Sequence, residues 1–158
     1  MTEYSSIKEI LEKTGTYTGL TVGISMQPLL HAQKDNIIVV RPEERLKKYD
    51  VALYVTSYGK YIMHRVIEVC DDHYVIMGDN LLKKEYVTDD MICGKLIGFY
   101  KNGKHYVDCE NSKLYKFYSK LIVAIIPIKP ALFFVRRCVT YPFRKTKRLF
   151  KKLFGKDK

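Results

Sequence analysis

Between residues 36 and 101 the chain is built from short β-branched and aromatic runs: "NIIVV", "DVALYVT", "KYIMHRVIEV", "HYVIMG" and "MICGKLIGFY". Each is bounded by Gly, Asp, Asn or Pro. Runs of this length and composition read as strands, and hairpin-sized strands in succession predict an antiparallel, mostly β domain. The turn chemistry agrees. "SYGK" (57–60) and "CDDH" (70–73) sit where consecutive strands must be joined, and the Asn-Gly pair at 102 and 103 in "FYKNGKHYV" favours a type I′ hairpin turn. Ahead of the strands, Ser5 or Ser6 can cap a short helix with Ile7, Ile10 and Leu11 on one face, ended by Gly15.

Strand alternation places particular side chains together. In "KYIMHRVIEV", Ile62, His64, Val66 and Glu68 share one face, and Tyr61, Met63, Arg65, Ile67 and Val69 share the other. His64 therefore lies among apolar neighbours.

A chain of 158 residues, 47% apolar with 13 Tyr and 7 Phe, suits one domain with a core of its own. The net charge of +11 is unevenly distributed. Residues 1–110 carry 14 Lys/Arg and 16 Asp/Glu, a net −2, whereas 111–158 carry 14 Lys/Arg and only Asp157, a net +13. Strand patterning stops at the same place, which predicts a β domain over 1–110 and a helical basic tail over 111–158. In the last segment, "FRKTKRLFKKLFGKDK", Phe143, Thr146, Phe150, Leu153 and Phe154 approximate one helical face and the basic residues take the other. Cys70, Cys93, Cys109 and Cys138 form no CxxC pair and no zinc spacing, so free thiols and no metal or cofactor are expected. The acidic N-terminus lacks the basic and apolar regions of a secretory signal.

The stretch "GISMQPLL" (23–30) reads by itself as a Ser and Pro turn. It is followed in order by "KDNIIVV", "KKYDVALYV", "HRVIEV" and "MGDN", with Glu85 six positions after Asp79. In this order and spacing the pieces, over about residues 19–100, resemble the signal peptidase family and its relatives, the LexA-type self-cleaving repressors. Their pattern is a Ser-Met-x-Pro turn, a Gly-Asp-Val strand start, a Lys-Arg-Val or His-Arg-Val strand and a Gly-Asp-Asn turn.

The resemblance implies a signal peptidase/LexA-like β fold in which the Ser turn lies beside the strand carrying the base. It also implies the histidine branch of the family, with Ser25 as nucleophile, His64 as general base and the Ser25 backbone N–H as oxyanion donor. Many secretory members add a serine hydroxyl two positions earlier, where this chain has Gly23. For the acid that orients the histidine, Glu85 falls closest to the family's place, with Asp79 the other candidate and a turn role its competing reading. Asp35 and Asp50 match turn positions at strand starts, and His31, His73 and His105 have no motif around them. A histidine, with an ordinary pKa of about 6.5, accepts a proton at neutral pH without the desolvation a lysine base requires.

The expected activity is that of a serine endopeptidase cleaving a precursor or leader peptide. The tail adds an expected partner. "LIVAIIPIKPALFFV" (121–135) would reach roughly 22 Å as a helix, short of roughly 30 Å of hydrocarbon, and two prolines and Lys129 interrupt it. Extending back to Leu114 brings in Lys116 and Lys120, so attachment to an anionic membrane surface, on the cytoplasmic side, is expected ahead of spanning by 114–135. The apolar face of the tail favours lipid over nucleic acid. The alternative is a non-catalytic or self-cleaving regulator. Self-cleavage is disfavoured because only about 20 residues precede Ser25 and the one Cys-Gly bond, Cys93-Gly94, falls inside a predicted strand.

Overall fold

A computed structural model of the chain describes residues 6–135, which fall into two units divided after Ala124. The first contains α1 (Ile7–Thr14), β1 (Thr16–Leu20), β2 (Asn36–Val40), β3 (Val51–Val55), β4 (Tyr61–Val69), β5 (Tyr74–Met77), β6 (Glu85–Val87), β7 (Ile92–Lys101), β8 (His105–Asp108) and α2 (Lys113–Ala124). The sheet order is β1-β2-β7-β3-β4-β5-β6, and every pairing is antiparallel. The ten-residue β7 holds the sheet together. One edge pairs β2, while the other is shared between β3 over its first half and β8 over its second.

The mostly β fold is the one the strand runs predict, and the three turns fall where their residues place them. Asn102 and Gly103 both have positive φ, 52° and 68°, as a type I′ turn requires. The helix cap resolves to Ser6, whose hydroxyl accepts from the Glu9 N–H, and Gly15 closes α1 in the left-handed region at φ 75°. Two strands have weak sequence signals. β1 is largely exposed and carries a glycine, and β6 is three residues long, so neither shows the apolar run of a buried strand.

β3 lies between two apolar clusters, which explains its unbroken run. Val51 and Leu53 join Leu11, Met26, Ile37, Val39, Leu96 and Phe99 on one side, while Ala52 and Tyr54 join Val66, Tyr74, Ile76 and Val87 on the other. Strand β4 alternates as its sequence predicts up to Val66, with Tyr61 and Met63 packed on the first cluster and Ile62 and Val66 in the second. The alternation then breaks. A register shift between Val66 and Glu68 against β5 leaves Ile67 buried and turns Glu68 and Val69 outward.

The strands stop near residue 110, but the compact unit continues to Ala124, because α2 is hydrogen-bonded to β4 through the side chains described below. In the second unit a 3-10 turn, Ile126–Ile128, leads into helix up to Val135. Among the described residues no single helix is long and apolar enough to cross a membrane; Lys113–Ala124 and Ile126–Val135 reach that length and composition only when taken together. The basic segment 143–158 and Cys138 lie outside the described residues.

Candidate active site

His64 sits on β4, directly opposite Ala52 of β3, in the register set by the "SYGK" turn. Its side chain is 4% exposed and its Nδ1 lies 2.9 Å from Glu85 Oε2. Tyr54, on the same face of β3, completes the group: its hydroxyl donates to the same Glu85 oxygen and lies 3.2 Å from His64 Nδ1. Burial, and then Glu85, push the Tyr54 phenol far above its ordinary pKa, so it remains a donor. Burial pulls the Glu85 carboxyl upward, yet the Tyr54 hydroxyl and His64 outweigh it and hold the group below the usual carboxylate value. An ionised carboxylate only accepts, and the one phenolic proton is spent on it. The proton between ring and acid therefore belongs to Nδ1, which leaves the lone pair on Nε2.

That second nitrogen is buried and has no hydrogen-bond partner. Desolvation lowers the His64 pKa from 6.5, against the pull of Glu85. The imidazole is thus neutral at neutral pH, with its basic nitrogen unoccupied.

Ser25 lies in a turn in which Gln27 N–H donates to Ile24 O and Leu30 N–H to Met26 O. Met26 is buried in the first apolar cluster and anchors the turn from below. The Gly-Asp-Asn segment grips the same turn from the side. Asn80 N–H donates to Ser25 O at 2.7 Å, and the Asn80 amide donates to Ile24 O at 3.2 Å. Gly78 is required by this approach, since a Cβ there would stand 2.8 Å from Ser25 O. Among the described residues the Ser25 N–H has no acceptor, so its carbonyl is committed and its donor is available. Gly23, at φ 89°, supplies no side-chain donor.

Asp79 takes a different role from Glu85. It forms a two-pronged ion pair with Arg65, Nε to Oδ1 at 2.8 Å and Nη2 to Oδ2 at 2.7 Å, with both side chains 1% exposed. Arg65 also donates to Tyr49 O and to Ser119 Oγ of α2, and the Tyr118 hydroxyl donates to Asp79. Asp79 makes no hydrogen bond to His64, on which it acts only through space. Its side chain serves neither as the histidine's direct partner nor as a cap on its own backbone. Asp35 and Asp50 hold loop backbone: Asp35 accepts from His31 N–H and Asn102 N–H, and Asp50 from Lys47 N–H.

Ser25 and His64 line one cleft of about 560 Å³, walled mainly by apolar side chains including Leu20, Ile24, Leu53, Ile62, Met63 and Leu81. No hydrogen bond joins the two residues in this structure. One wall is an open strand edge, because β4 pairs β3 over Tyr61–Arg65 but pairs β5 only from Arg65 onward. No family model matches this chain, and no curated protein matches it either.

The residues the motifs did not single out are Tyr54, Ser119 and Tyr118. Tyr54 was accessible from hairpin register, since a "SYGK" turn pairing Ala52 with His64 puts Tyr54 on the same face, diagonal to the ring. Ser119 and Tyr118 come from α2, whose docking no strand pattern encodes. Among the described residues no group of three or more His, Cys, Asp or Glu is placed to hold a metal ion.

Proposed function

We propose that the chain is a serine endopeptidase of signal-peptidase type, cleaving a precursor or leader peptide with Ser25 as nucleophile and His64 as general base. The observation that carries this reading is the polarised histidine. Its Nδ1 is tied to Glu85 and Tyr54, its Nε2 is unpartnered, and the residue lines the cleft that also holds Ser25.

In the reaction, Ser25 Oγ attacks the scissile carbonyl as its proton passes to Nε2. Glu85 stabilises the imidazolium through Nδ1–H, and the unengaged Ser25 N–H donates to the developing oxyanion. Collapse breaks the C–N bond, the imidazolium returns its proton to the leaving amine, and the acyl group remains on Ser25. Water, deprotonated by the same nitrogen, then releases the acid and restores the hydroxyl. In this reading the open edge of β4 and the apolar walls bind an extended, apolar stretch of peptide, with backbone hydrogen bonds supplying affinity.

Attachment to an anionic membrane surface, with the catalytic unit on the cytoplasmic side, is part of the same proposal. The +13 carried by residues 111–158 supports it. The test is incubation of the full chain with a mixed peptide library read by mass spectrometry. Defined cleavage products that disappear with Ser25→Ala support the reading, and an equal product pattern from that variant defeats it.

A further inference from the structure

Helix α2 has three faces with different surroundings. The inner face carries buried Tyr115 and Ser119 with Tyr118 beside them, and it meets Arg65 and Asp79. On a second face Leu114, Phe117 and Leu121 are 78%, 65% and 46% exposed, at the spacing that aligns them in one stripe. Alongside runs a stripe of lysines, Lys113, Lys116 and Lys120, all exposed. None of these lysines forms a salt bridge among the described residues.

We propose that this outer face of α2 is a docking surface for an anionic lipid bilayer, with Leu114, Phe117 and Leu121 inserted and the lysines against headgroup phosphates. The proposal rests on the membrane attachment inferred above and names its contact surface. Three considerations select this occupant. Apolar side chains flanked along their length by unpaired lysines match the layered chemistry of an anionic interface. A second copy of the same face would set lysine against lysine, and protein interfaces are depleted in lysine at their centres. The apolar stripe covers only one side of a helix of 12 residues, the amphipathic arrangement of a helix lying in an interface.

The consequence concerns the catalytic turn. Ser119 and Tyr118 bind the Arg65–Asp79 pair, and Asn80, the next residue, holds Ser25. Lipid docking of the outer face therefore keeps the nucleophile turn close to the membrane surface, where a membrane-bound precursor would be presented.

The chain contains no tryptophan, so Phe117→Trp in the full chain introduces a unique fluorophore at an exposed site. The expected result on adding phosphatidylcholine/phosphatidylserine vesicles is a blue shift and quenching by brominated acyl chains, with neither produced by phosphatidylcholine alone. Lys113→Gln, Lys116→Gln and Lys120→Gln should each weaken partitioning about fivefold, the effect of about 1 kcal/mol per basic residue. Co-sedimentation with vesicles while the introduced indole stays unshifted would assign binding to another segment and overturn the proposal. A blue shift that grows with protein concentration in the absence of lipid would overturn it in favour of self-association. Failure to bind vesicles at all removes this proposal and the membrane attachment together, but leaves the peptidase reading to be judged separately by cleavage.

Discussion

The backbone N–H of Asn80 donates to the carbonyl oxygen of Ser25 at 2.7 Å, so the Gly-Asp-Asn turn and the Ser turn are one structural unit despite their separation in sequence. This contact gives the paired motifs a physical reason to occur together. Gly78 allows the approach, Asn80 makes the bond, and Asp79 fixes the segment to Arg65 on the strand that also carries His64.

Replacing Gly78 with Ala tests that closeness. The added Cβ would stand 2.8 Å from Ser25 O and 3.0 Å from Leu81, so the serine turn has to shift. Overpacking of this kind costs about 1–3 kcal/mol of stability, while displacing a catalytic group by about 1 Å can cost about a hundredfold in rate. The expected outcome is a cleavage rate that falls far more than the urea midpoint. The control is Gly15→Ala, which strains the end of α1 at φ 75° with no atom near its Cβ. It should lower stability with little effect on any cleavage rate of the remaining folded chain.

Breaking the Arg65–Asp79 pair should be expensive. Asp79→Ala strands a guanidinium that is 1% exposed, and loss of one partner from a buried pair costs about 3–5 kcal/mol. Adding Arg65→Met removes the stranded charge and should recover much of that loss. Urea unfolding of the single and double variants measures both steps.

The pH dependence follows from the His64 environment. Its folded-state pKa lies below 6.5, so as pH falls through that value the unfolded chain binds the proton first. This contribution to stability is complete above 6.5 and is lost as pH drops through the folded-state pKa; His64→Phe should flatten that part of the profile. The cleavage rate should rise with pH as Nε2 loses its proton. Glu85→Gln removes a group that raises the His64 pKa, so the midpoint should move to lower pH, with a rate loss of about a hundredfold or more from an imidazole no longer oriented. Tyr54→Phe releases Glu85 to interact more strongly with the ring and should move the midpoint upward. Imidazole NMR titrations of both variants in a Ser25→Ala background read these shifts without relying on turnover.

The strand runs made the β fold legible because five of the eight strands are apolar enough to carry their own pattern, and the Asn102-Gly103 turn states its conformation in its residues. β1 and β6 were not legible, since an exposed strand and a three-residue strand owe their conformation to their neighbours. At the site, the family resemblance put Glu85 forward as the histidine's acid, with Asp79 beside it as the other candidate. The division of labour between Glu85 and Asp79 was not legible, because it depends on which face of β4 each carboxylate meets: Glu85 reaches the His64 side, and Asp79 the Arg65 side. The packing of α2 on Arg65 and Asp79 also escaped a reading of the tail as one basic segment, because no strand pattern encodes where its Ser119 face docks.

Trapping the acyl-enzyme tests the proposed chemistry most directly. The chain is mixed with a peptide from the library that it cleaves, quenched in acid within a turnover, digested and mapped by mass spectrometry. The expected result is a mass increase equal to the N-terminal fragment of the peptide, localised to Ser25 and absent from Ser25→Ala and His64→Ala. Cleavage with the adduct on another residue, cleavage that persists in Ser25→Ala, or no cleavage of any peptide by the parent chain would contradict it.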